Sequence, residues 1–166
     1  SETDALDIAK ITQSAPNGTV NVDAGGTITV TAGGSGITSN NGKVELDANG
    51  IASSVAVKNT IMTTGGNIRL FADDNVTFTL AGDMASTSGN VKVNADADGV
   101  ADGSSGAITM ADGTLIDAGS GTIDMDADEN ITLGGLLTTN ASTTAVTLTT
   151  TSGAIVDGGD TYTDVD

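Results

Sequence analysis

The stretch Gly66-Asn67-Ile68-Arg69-Leu70-Phe71-Ala72 is a glycine followed by apolar residues at alternate positions and closing on alanine. It recurs at Gly18–Ala24, Gly42–Ala48, Gly89–Ala95 and Gly121–Ala127, and in degraded form at Thr144–Thr150. Apolar residues at a period of two read as a short strand in every copy. The first apolar residues are Val20, Val44, Ile68, Val91, Ile123 and Val146, so successive copies lie 24, 24, 23, 32 and 23 residues apart. A steady period of this size is the mark of stacked repeats. A second apolar strand follows about eight residues on, at Ile28-Thr29-Val30, Val76-Thr77-Phe78 and Ile131-Thr132-Leu133, and a third apolar point at Ile37, Ile61, Met84 and Leu136. Three strands per period, each ended by Gly, Asn or Asp, predict an all-β, three-sided parallel β-helix of about 23–24 residues per coil.

Stacking turns each strand position into a column whose members are about 4.8 Å apart. One inward column is Val20, Val44, Ile68, Val91, Ile123, Val146; the next is Val22, Leu46, Leu70, Val93, Met125, Leu148; a third is Ala24, Ala48, Ala72, Ala95, Ala127. The outward column between the first two reads Asn21, Glu45, Arg69, Lys92, Asp124, which sets opposite charges on consecutive rungs and checks the register.

The organisation is a single solenoid segment, expected to belong to a longer protein: residues 1–17 a partial entry coil, 18–144 five regular coils, and 145–166 a final partial coil. Leu6, Ile8 and Ile11 read as the tail of a preceding coil, with residues 1–13 as a lid over one end, and Tyr162 to Val165 as a further strand. The corners Gly25-Gly26 and Gly33-Gly34, then Asn49-Gly50 and Asp73-Asp74-Asn75, are expected to supply positive φ. In the fourth coil the second strand falls at Ile108-Thr109-Met110, so the extra residues form a loop near 96–105 at the first corner.

Composition agrees with a narrow core. Aromatic residues make up only 2% of the chain, too few for an ordinary sandwich but enough for stacked Val, Ile, Leu and Ala. There is no cysteine for disulfides or thiol chemistry, and no apolar run long enough to insert in a membrane. A net charge of −17 disfavours nucleic acid and anionic membrane surfaces and favours divalent cations.

Gly-x-Ile/Val-x-Leu/Val-x-Ala repeats with Gly/Asn corners resemble the right-handed β-helix shafts of filamentous haemagglutinin-type exoproteins and other giant repetitive bacterial surface adhesins. The likeness covers nearly the whole chain. It implies a non-enzymatic stalk or scaffold segment of a secreted or cell-surface protein, extracellular, with neighbouring solenoid segments of the same protein as partners. Open ladder ends add end-to-end self-association to that expectation. The alternatives are a carbohydrate- or cell-binding adhesive module, a β-helix polysaccharide-active enzyme and an ice-binding solenoid. With no histidine, one arginine and four lysines, the chain is poor in acid–base groups for the enzyme. The threonines of the second face (Thr27, Thr29, Thr77, Thr79, Thr109, Thr132) are accounted for by strand propensity.

One constellation carries chemical content. Asp73 and Asp74, then Asp96, Asp98 and Asp102, then Asp126, Asp128 and Glu129 fall at the first corner of three consecutive coils. Stacked carboxylates repel or share a cation, and hard oxygen ligands on a flexible loop suit Ca²⁺, which is the expected ligand if the site holds one. Phe71, between inward Leu70 and Ala72, is expected to point outward and to pack against Asp47 and Asn94 in its column.

Overall fold

A computed structural model describes residues 4–97 and 106–159; Asp98, Asp102 and Tyr162–Val165 lie outside the described residues. Strands β1 (Leu6–Ile8) and β2 (Lys10–Gln13) open the chain. Coil one holds β3 (Val20–Ala24), β4 (Ile28–Val30) and β5 (Gly36–Ser39), and coil two β6 (Val44–Ala48), β7 (Val55–Val57) and β8 (Ile61–Thr63). Coil three holds β9 (Ile68–Ala72), β10 (Val76–Phe78) and β11 (Met84–Ser86), and coil four β12 (Val91–Ala95), β13 (Ile108–Met110) and β14 (Leu115–Asp117). Coil five holds β15 (Ile123–Ala127), β16 (Ile131–Leu133) and β17 (Gly135–Leu137), and a sixth begins with β18 (Val146–Thr150) and β19 (Ile155–Asp157).

Each strand pairs in parallel with its counterpart one coil away. The result is three sheets, ordered β1-β4-β7-β10-β13-β16-β19, β3-β6-β9-β12-β15-β18 and β2-β5-β8-β11-β14-β17. The described chain is thus an all-β parallel solenoid of about six turns with three strands per coil. The register follows the repeat: Val44 pairs with Ile68, Ile68 with Val91 and Val91 with Ile123. Val44, Leu46, Ile68, Leu70, Val91 and Val93 are buried, while Arg69 is exposed and Glu45 and Lys92 are part-exposed. A one-residue slip would invert every one of these assignments, so the apolar alternation itself fixes the pairing.

The corners are tied by side chains that extend the ladders. Asn67 Oδ1 accepts the Asn90 N–H (2.9 Å), Asn90 Oδ1 the Thr122 N–H (3.0 Å), and Asn130 Oδ1 the Ala154 N–H (2.8 Å). An inward hydroxyl column runs down the third corner. The Ser86 hydroxyl donates to the Gly66 carbonyl and accepts from the Gly89 N–H, both at 2.9 Å. Thr63 likewise donates to Gly42 (3.0 Å) and accepts from Gly66 (3.1 Å), and Ser39 donates to Gly18 (3.0 Å). These buried hydroxyls satisfy turn groups that no strand can reach.

The repeat glycine is set by close approach. A Cβ on Gly42, Gly66, Gly89 or Gly121 would lie 1.8 to 2.2 Å from the carbonyl oxygen of the equivalent glycine one coil below. The same holds at two of the corners expected to need positive φ: a Cβ on Gly34 would meet the Ala9 carbonyl oxygen at 1.8 Å, and one on Gly50 that of Gly25 at 1.8 Å. Among the described residues, positive φ falls instead at Gly36, Gly113 and Gly119 and at Asn17, Asn41, Ala52 and Asp96, which corrects the assignment to Gly25-Gly26, Gly33-Gly34, Asn49-Gly50 and Asp73-Asp74-Asn75.

Two further expectations change. Residues 6–13 are ladder rungs, β1 on β4 and β2 on β5, so they continue the stack instead of crossing its end as a lid. Corner lengths also vary more than the period reveals. Three residues separate the first and second strands in coils one, three and five, but six (49–54) do so in coil two and twelve (96–107) in coil four. Coil two regains its length at the next corner, with three residues where coils one and three have five.

Candidate functional site

The first corner gathers the acidic residues, and the structure gives several of them structural duties. Asp73 is buried (4% exposed), and its Oδ2 accepts the Ala52 N–H, at 2.6 Å. Asp74 accepts from the Ser54 hydroxyl through Oδ2 (3.1 Å) and from the Asn75 amide through Oδ1 (2.7 Å). Asp96 has φ +61° and donates its N–H to the Asp74 carbonyl (3.2 Å). The Asp128 carbonyl accepts from the Ser152 N–H and hydroxyl (2.7 and 2.9 Å), and the Glu129 N–H donates to Gly106 (3.0 Å). These five residues therefore share a corner, whereas Asp98 and Asp102 lie outside the described residues. Among the described residues, no group of three or more His, Cys, Asp or Glu is arranged to hold a metal ion.

The six-residue corner of coil two stands out beside this edge. It is pinned by the Asp73–Ala52 bond and by Ser53, whose hydroxyl donates to Ala48 (2.6 Å) and accepts from Gly50 (3.0 Å). Ala52 sits at φ +57°, a costly backbone for a residue with a Cβ, and Ile51 at the tip is 88% exposed. Beneath the corner is a cavity of about 350 Å³ lined by Asp47, Ala48, Asn49, Phe71, Asp73 and Ala97. The sequence pointed to Phe71, whose register neighbours are Asp47 and Asn94 as expected, but not to the cavity or to Asn49. A smaller cavity of about 270 Å³ lies on the third face around Met62, Ala85 and Asp117.

The charges around the cavity are unevenly compensated. Glu45 has Lys43 at 2.9 Å and Arg69 at 3.8 Å, and Asp23 accepts from the Asn49 amide at 2.9 Å. Asp47 has no ion pair or hydrogen-bond donor to its carboxylate among the described residues. Burial, with Asp23 and Glu45 close by, pushes the Asp47 carboxyl above its ordinary value. Two rungs away, Lys92 bonds Asp124 (2.7 Å) and Asp126 (2.6 Å); burial opposes its charge, yet the two carboxylates outweigh it and hold the amine above the usual lysine range.

Comparison with protein-family models, with curated proteins and with solved structures finds no match.

Proposed function

We propose that this chain is a structural stalk or scaffold segment of a large secreted or cell-surface bacterial protein of the adhesin type, acting without catalysis. The observation that carries the reading is the set of three parallel ladders running uninterrupted through the described coils. Seven stacked strands at about 4.8 Å per step span roughly 29 Å. Such a unit adds length and stiffness in proportion to coil number, which is what a spacer needs. Resemblance of the repeat to haemagglutinin-type shafts supports the extracellular setting.

The partners of this reading are solenoid coils that continue the stack, from the same protein or from a second copy. Ile155 lies in the same column as fully buried Ile131 and is itself 47% exposed, which makes it the position to perturb. Sedimentation velocity over a range of concentrations tests this. Concentration-dependent growth of an elongated species, abolished by Ile155→Lys, is the expected result. The stalk itself is tested in a surface-displayed protein carrying the segment. Deleting coils one and two together should shorten reach and leave adhesion chemistry intact, while loss of ligand binding on substituting outward residues such as Met62 and Thr109 would favour an adhesive module.

A further inference from the structure

We propose that the cavity beneath the first corner of coil two binds an alkylammonium group, with Phe71 against the apolar stem and Asp47 against the charge. This goes beyond the stalk reading and does not depend on it.

Shape gives the first argument. At about 350 Å³ the cavity is near the lower end of the range for small-molecule sites, enough for a short chain and its head group. Two lining residues are tied in advance, since Asp73 accepts from the Ala52 N–H and the Ala48 carbonyl accepts from the Ser53 hydroxyl. A site that is already ordered loses little freedom on binding.

The choice of ligand follows from the lining. Phe71 is an outward aromatic on a chain with very few rings, and it stands in register beside Asp47, a rung of about 4.8 Å away. Asp47 is partly buried between Asp23 and Phe71 in its column, and the nearby cations Lys43 and Arg69 are engaged by Glu45. An anion is excluded by these carboxylates. A neutral apolar ligand would cover the ring and leave Asp47 further desolvated, at a cost. A bare metal ion would find no set of three ligands among the described residues and no use for the ring. An ammonium on an aliphatic stem satisfies both groups at once: the charge answers Asp47, the methylenes cover Phe71, and the ring face attracts the cation. The group could come from a protein lysine or from a free polyamine, and the chemistry is the same.

The test is a titration of the ¹⁵N-labelled chain with n-pentylammonium chloride, followed by amide chemical shifts, against sodium chloride at equal ionic strength. Saturating shifts confined to residues 47–49 and 71–73, in the millimolar range, are expected, with no counterpart for sodium. Asp47→Asn should abolish saturation while the remainder of the spectrum stays in place. Phe71→Ala should weaken n-pentylammonium several-fold and leave the weak response to ammonium chloride unchanged. In parallel arms, Nα-acetyl-lysine methylamide matching n-pentylammonium points to a protein lysine, and spermidine binding much tighter than either points to a polyamine. Linear shifts shared with sodium, or saturation that survives Asp47→Asn, would overturn the proposal.

Discussion

Gly66→Ala separates two explanations of the repeat glycine. If the glycine served only backbone freedom, alanine would stabilise by about 0.4–1 kcal/mol, because Gly66 has no positive φ to defend. The stacked geometry predicts the opposite sign. The new Cβ would lie 2.1 Å from the Gly42 oxygen and 2.3 Å from its carbonyl carbon, against an ordinary contact of 3.4 Å or more, so the rung must open by about 1 Å. That opening breaks the two bonds that cross between the coils here, the Thr63 hydroxyl to Gly42 bond (3.0 Å) and the Val44 N–H to Asn67 bond (2.9 Å). At about 1 kcal/mol net for each bond, less the entropic gain of alanine, the loss is roughly 1–2 kcal/mol. Gly33→Ala is the control, because a Cβ there meets nothing within 4 Å. Urea unfolding reads both: Gly66→Ala should lower the midpoint by about 1 M with the slope unchanged, and Gly33→Ala should leave it level or raise it. A Gly66→Ala midpoint at or above wild type would refute the argument.

Ser86→Ala should cost about 1–3 kcal/mol in the same assay, since it strands the Gly66 carbonyl and the Gly89 N–H, while Ser86→Thr should be tolerated because Thr63 fills the equivalent place one coil earlier. Asp47 binds its proton more tightly folded than unfolded, so it destabilises above its folded pKa and this penalty fades as pH falls toward the unfolded value of 3.8; Asp47→Asn should raise the melting temperature at pH 7 and have little effect below pH ~3.5, with Asp23, Glu45, Lys43 and Arg69 unaltered in both proteins. Because Asp73 and Asp74 already accept from Ala52, Ser54 and Asn75, calcium and magnesium at equal ionic strength should raise the melting temperature alike. A calcium-specific rise, lost in Asp98→Asn with Asp128→Asn, would show that the corner carboxylates assemble a cation site.

Strand positions were legible because burial and period are local. Each Gly-x-apolar-x-apolar-x-Ala copy became a five-residue strand, and the Glu45–Arg69 and Lys92–Asp124 rungs found their ion pairs. Ile116, buried in β14, escaped the apolar pattern of the third face because exposed Leu115 stands beside it and obscures the alternation. The role of the glycines was misread for a different reason. Both positive φ and backbone contact select glycine, and only the position of the neighbouring coil tells them apart. Asp73 and Asp74 show the same limit, since a count of charges does not reveal that Ala52, Ser54 and Asn75 meet their oxygens.

The cavity was hidden by the feature that made the fold readable. A parallel ladder requires every coil to return to the same point, and it does so whether a corner is lengthened outright or lengthened while another is shortened. Coil two adds three residues at its first corner and drops two at its second, and coil five cuts its second corner to one residue and lengthens its third to eight (138–145), yet their spacings remain 24 and 23. The ladder tolerates such exchanges because corner residues lie outside the stacked core and cost little when lengthened. A corner that grows at its neighbour's expense leaves the period intact while raising a wall beside a flat sheet face. In coil two that corner carries strained Ala52 and exposed Ile51, and its first residue, Asn49, lines the cavity with Phe71 and with Asp47, whose carboxylate has no partner among the described residues. Departures from strand-to-strand spacing within a coil, more than departures from the period, therefore show where a solenoid of this kind acquires a site.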